Sequence, residues 1–181
     1  WVFSSRCDAL PQAWYDTSRA LSARGTSAGT RPEVMHNTGI ALVTGASSGL
    51  GAQYCRQLAS RCKTIIAVGR RGEQLQALRT ELEKQTRVYP VVADLATVEG
   101  VTRTVEALRQ QGPVDLLINN AGFSTLGDFA DSSLEVELEM VRLQVDAPLE
   151  LVRAALPFMR EQGSGAIINV ASVGAYLELQ K

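Results

Sequence analysis

At 181 residues, 45% hydrophobic and 20% charged, the chain has the composition of one ordinary globular domain and hardly two. A formal net charge of -1 gives no general attraction to nucleic acid or an anionic membrane, and no stretch nears the roughly 20 consecutive apolar residues of a membrane helix. Cys7, Cys55 and Cys62 are odd in number and lack metal-ligand spacing, so no metal is expected and a reducing, cytoplasmic setting fits.

Residues 1–34 carry Ser, Thr, Gly and Arg without a period, and residues 25–32 (GTSAGTRP) are linker-like. Arg6, Arg19, Arg24 and Arg31 among hydroxyl residues would suit an organelle transit peptide, against which Asp8, Asp16 and Glu33 count. The preferred reading is a disordered or non-native extension over 1–34, with Met35 opening a single domain over 35–181.

From Ile40 onward, short apolar runs alternate with longer helical patterns. Residues 40–43 form a strand pattern, followed by a helix over 49–60 with Leu50, Tyr54 and Leu58 on one face. Cys55 and Cys62, seven apart, read as part of that one helix. A strand at 64–68 precedes Leu75, Leu78 and Leu82 at helical spacing. A strand at 88–92 then precedes Val98, Val101, Val105 and Leu108. A strand at 114–118 leads into a long helix whose face includes Leu134, Leu138, Val141 and Val145, and 166–170 is the last strand. Strands without polar alternation, separated by helices, argue for an α/β fold with a parallel sheet covered on both faces. Right-handed crossovers make it doubly wound and Rossmann-like, with ligands beyond the carboxyl ends of the strands.

The loops after the strands therefore carry the chemistry. Residues 44–51 read T-G-A-S-S-G-L-G between a strand and a helix, the order that a dinucleotide pyrophosphate needs. Gly45 allows a tight exit from the strand, Gly49 a close approach of backbone to phosphate, and Gly51 close packing of the helix. Ser47 and Ser48 either add hydroxyl bonds to phosphate or ribose or cap the helix, and Leu50 belongs to the same cradle. After the second strand, an NAD site usually presents an acid to the ribose 2′-hydroxyl. Here Gly69 is followed by Arg70 and Arg71, with no carboxylate to compete for the guanidinium. NADP is thus favoured over NAD, with Arg70 the better candidate and Arg71 the more readily solvated. Asp94, followed by Leu95, either accepts from the adenine amino group or caps the helix beginning near Thr97. Asn120, Ala121 and Gly122 leave room for the cofactor, and the amides of Asn119 and Asn120 can bridge strand ends; by composition this is also a turn.

T-G-x-x-x-G-x-G at 44–51, D-L at 94–95, N-N-A-G at 119–122 and L-P-F-M at 156–159 resemble the short-chain dehydrogenase/reductase family in order and spacing, over about residues 40–175. The resemblance implies an NAD(P)-dependent oxidoreductase interconverting a small-molecule carbonyl and alcohol, commonly as a homo-oligomer in its full-length form. It further implies a tyrosine acid assisted by a lysine, a serine holding the substrate oxygen, and an asparagine fixing a relay water. Ser172 matches the serine. Asp146 stands where the asparagine would be, leaving an acceptor-only side chain there. The family's Tyr-x-x-x-Lys would fall past Lys181. Tyr176 and Lys181 do not replace it, because a five-residue step leaves them about 140° apart on a helix. The expectation is a carboxyl-terminally truncated reductase lacking its proton donor and final strands, with 165–170 left as an apolar edge. The alternative is a non-catalytic NADP-binding module or truncated isoform.

Overall fold

In the computed structural model, which describes residues 39–125 and 127–172, the apolar runs become the strands of a single parallel sheet. The expected extension 1–34, and Tyr176 and Lys181, lie outside the described residues. The strands are β1 (Gly39–Thr44), β2 (Cys62–Gly69), β3 (Arg87–Val92), β4 (Leu116–Asn119) and β5 (Ala166–Asn169), in the order β3-β2-β1-β4-β5. Leu42 registers between Ile66 of β2 and Leu117 of β4, which fixes the centre of the sheet. The chain winds outward from β1 through β2 to β3, then returns to β4 on the other side. Such a reversal opens a crevice at the carboxyl ends of β1 and β4.

Successive strand residues face opposite layers. Ala41, Val43, Ile65, Ala67, Leu116 and Ile118 meet α1 (Gly49–Leu58) and α2 (Gly72–Leu82). Leu42, Ile66, Val68 and Leu117 meet α3 (Val98–Gln111) and α5 (Ala147–Gln162). Burial on both faces explains why these strands lack polar alternation.

Three helix expectations need correction. On α1 the buried residues are Gly51, Ala52, Cys55 and Leu58, whereas Leu50 is 62% exposed. Small residues bring this helix close to the sheet, so Leu50 does not mark its inner face although Leu58 does. Cys62 is not on this helix; it begins β2. The long helix is divided into α4 (Leu134–Val141), a π-type turn (Arg142–Asp146) and α5. Leu134, Leu138, Val141 and Val145 lie exposed, while Glu137 is buried on α4 and Ala147, Leu151, Ala155 and Met159 are buried on α5. At the sheet edge, Ile168 of β5 is also exposed. No described helix is long and apolar enough to cross a membrane.

Burial pushes the Cys55 thiol up to about 12 and the Cys62 thiol up to about 11. The neutral forms are therefore favoured in the folded chain, and both thiols should resist alkylation at pH 8. Unfolded thiols ionise first as pH rises, so the unfolded state then binds fewer protons than the folded one. Stability should be independent of these groups below about pH 8.5 and fall as pH rises toward 11. Denaturant midpoints for the chain and its Cys55→Ala/Cys62→Ala variant check this: the variant should show the shallower alkaline decline.

Candidate functional site

At the carboxyl ends of the central strands lies a cavity of about 480 Å³. One wall is the turn from β1 into α1. Gly45 leaves the strand at φ +68 and Gly49 begins the helix at φ +53, conformations that side chains with a Cβ adopt only with strain. A Cβ on Gly49 would meet nothing within 4 Å, so what glycine provides there is the backbone angle. Gly51 is required for a different reason. A Cβ there would run into the Gly45 carbonyl oxygen and come within 2.7 Å of Asn120 Nδ2. Gly51→Ala should consequently lower stability by about 1–2 kcal/mol, the overpacking strain exceeding the gain in helix propensity. Thermal denaturation of the variant tests this, and an unchanged or raised midpoint would remove the packing role.

The amino end of α1 is left without a side-chain cap. Ser48 occupies the capping position but makes no such bond, and the first turn holds no acid. By contrast, Thr97 caps α3 by accepting from the Gly100 amide at 3.1 Å, and Glu99 follows in its first turn. Open N–H groups at the α1 terminus, beside a glycine turn, suit an anion.

β1 and β4 are locked together at the floor. Thr44 Oγ1 accepts from the amides of Asn120 and Ala121, each at 2.9 Å, and Asn120 Nδ2 donates to the Thr44 carbonyl at 2.9 Å. Asn119 Nδ2 donates to Asn169 Oδ1 at 2.8 Å, joining β4 to β5. Both asparagine amides thus bridge strand ends. The loop after β4 is held in turn from the long helix. Gln144 Nε2 donates to the Phe123 carbonyl at 3.0 Å, and the Thr125 hydroxyl donates to the buried Glu137 carboxylate at 3.0 Å.

At the end of β2, the Arg71 guanidinium lies 3.5 Å from both the carbonyl oxygen and Oγ of Ser47. Arg71 lines the cavity as Arg70 does, and both are exposed. The expectation that no carboxylate competes at Arg70 is corrected: its Nη1 lies 3.9 Å from Asp94 Oδ2 and 3.9 Å from Glu139 Oε1. These acids come from the loop after β3 and from α4, and could not be seen beside Arg70 in the sequence. Asp94 does not cap α3. Its Oδ1 accepts from the Ala96 amide at 3.0 Å, and Thr97 provides the cap.

Of the proposed cofactor residues, Gly45, Ser47, Ser48, Leu50 and Arg70 line the cavity on one side. Asp94, Leu95, Asn120, Ala121 and Gly122 line it on the other. Gly49 and Gly51 act behind that surface through the backbone. The two residues with expected reaction roles are not among the lining residues: Asp146 ends the π-type turn and Ser172 follows β5, both exposed. Thr44, Leu143 and Glu139 went unassigned in the sequence, and of these Thr44, first residue of the glycine motif, carried a positional signal.

Residues 39–180 match the family model for short chain dehydrogenases. A short chain dehydrogenase of Pseudocercospora fijiensis is 35% identical over 139 residues, covering 75% of this chain and 45% of the relative. A short-chain dehydrogenase from Sphingobium yanoikuyae in complex with NADPH superposes with a TM-score of 0.74 at 31% identity, covering 78% of this chain and 57% of that one. L-Sorbose reductase from Gluconobacter frateurii, complexed with NADPH and L-sorbose, gives 0.73 at 36% identity, covering 78% and 56%. The chain thus spans about half the length of these relatives. With the matched region running through the whole sheet and the cleft at its crevice, the chain belongs to the short-chain dehydrogenase family of oxidoreductases.

Proposed function

We propose that residues 35–181 form the NADP(H)-binding domain of a reductase that interconverts a small-molecule carbonyl and its alcohol. The observation that carries the cofactor choice is the end of β2: two arginines line the cleft where a carboxylate would mark a ribose hydroxyl site. The uncapped α1 terminus and the turn at Gly45 and Gly49 would hold the pyrophosphate, with the Ser47 and Ser48 hydroxyls beside it. Arg70 and Arg71 would hold the 2′-phosphate. Asp94 would accept from the adenine amino group, while Leu95, Asn120, Ala121 and Gly122 shape the adenosine side. NADPH in two structurally similar enzymes supports this reading. When bound, the cofactor supplies or accepts a hydride.

Ser172 would position the substrate oxygen, and Asp146 would offer a carboxylate acceptor at the helix turn, where it cannot donate as an amide does. The proposal extends to a homo-oligomer working in the cytoplasm. A second reading, a nucleotide-binding module without turnover, draws on Ser172 and Asp146 not being among the residues that line the cleft. Titrating the chain with NADPH and NADH by nicotinamide fluorescence tests the cofactor assignment. NADPH should bind at least about tenfold tighter, as expected for charge-assisted bonds to an additional phosphate. Equal affinities would overturn it. Turnover of a ketone and aldehyde panel separates the enzyme reading from the binding module.

A further inference from the structure

Arg70 is shared before any phosphate arrives. Its guanidinium stands between two carboxylates, Asp94 from the loop after β3 and Glu139 from α4, each 3.9 Å away. At that distance the contacts are ion pairs rather than hydrogen bonds, and side-chain exposures of 64% for Arg70 and 38% for Glu139 leave them open to solvent. They are weak, easily exchanged, and sensitive to salt.

The two acids differ in attachment. Asp94 is tied to its own loop by the Ala96 amide and faces the cleft, so altering it would disturb either cofactor. Glu139 sits on α4 and is not among the cavity-lining residues, so its effect on a ligand passes through Arg70. A 2′-phosphate approaching Arg70 must displace this carboxylate and meets its like charge. A ribose 2′-hydroxyl makes no comparable demand.

We propose that Glu139 is a specificity-setting residue of the cleft: a counter-carboxylate that holds Arg70 and limits the preference for a 2′-phosphorylated dinucleotide. This rests on the NADP(H) reading and deepens it. Arg71, placed against Ser47, has no carboxylate partner among the described residues and would supply the phosphate site's baseline attraction.

The test is Glu139→Gln in the 181-residue chain, titrated with NADPH and with NADH at low and high salt. NADPH should bind about three- to fivefold tighter, the range accessible to an exposed ion pair, with NADH changed less than about twofold. The NADPH gain should shrink in about 0.5 M salt and vanish in an Arg70→Ala background, as screening and loss of the shared partner require. Equal tightening of both dinucleotides, a gain that survives Arg70→Ala, or no gain at all would each overturn the role of Glu139. A parent chain that does not prefer NADPH would instead overturn the cofactor reading. Unchanged circular dichroism and thermal midpoint establish that the variant folds.

Discussion

Thr44→Val is expected to cost the fold about 2 kcal/mol, since two part-buried N–H groups lose their acceptor at once. Thr44 is 2% exposed, and its hydroxyl oxygen serves the amides of both Asn120 and Ala121. Valine matches the shape but has no acceptor, and the side chain that replaces the hydroxyl keeps that position apolar. The gain in strand propensity from valine is small beside that penalty. Thr44→Ser retains the oxygen and should recover most of the loss, which separates the bond from side-chain packing. Urea denaturation of the parent and both variants measures this. A valine variant within about 1 kcal/mol of the parent, the size of a single ordinary bond, would show that the loop satisfies its amides in another way. The same variant should weaken cofactor binding, because the loop it releases forms one wall of the cleft.

The second large effect concerns the arginine pair. Arg70→Ala/Arg71→Ala should weaken NADPH binding about 100-fold while changing NADH less than about threefold, as loss of two charge-assisted contacts implies. The contributions should be unequal. Arg70 already engages Asp94 and Glu139, so part of its attraction to phosphate is spent in displacing them. Among the described residues, Arg71 has long contacts to Ser47 to give up. Arg71→Ala alone should therefore be the costlier single change. Fluorescence titration with both dinucleotides decides it, and a parallel loss of NADH affinity would mean that the arginines support the cleft's shape rather than read a phosphate.

The strands were legible because a central parallel sheet tolerates no polar face. Residues 40–43 and 65–68 are apolar throughout, and a doubly covered sheet uses such runs at this length. The glycine turn was legible for a similar reason, since each of its constraints acts within a few residues. Helix faces were read less well. On α1 the contact is made by Gly51 and Cys55, whose small size is the condition for close approach, while Leu50 points to solvent. On α4, apolar spacing suggested a core face where the structure buries Glu137 against Thr125. The electrostatics of Arg70 could not be read at all. Local sequence shows a pair of arginines, but their counter-charges arrive from two later segments that only the folded chain brings near.

The π-type turn at Arg142–Asp146 sets the rotational phase of everything after it. Such a turn accommodates one residue beyond the α-helical count, and each residue turns a helix by about 100°. Excising a single residue there would restore an uninterrupted spiral and roll α5 on its axis. Leu151 and Ala155 would swing off the sheet, and their exposed neighbours Leu149 and Leu156 would compete for the vacated space. The length of this chain between β4 and β5 is thus an indexing device, in which one codon's worth of backbone decides which side of a sixteen-residue helix is the inside.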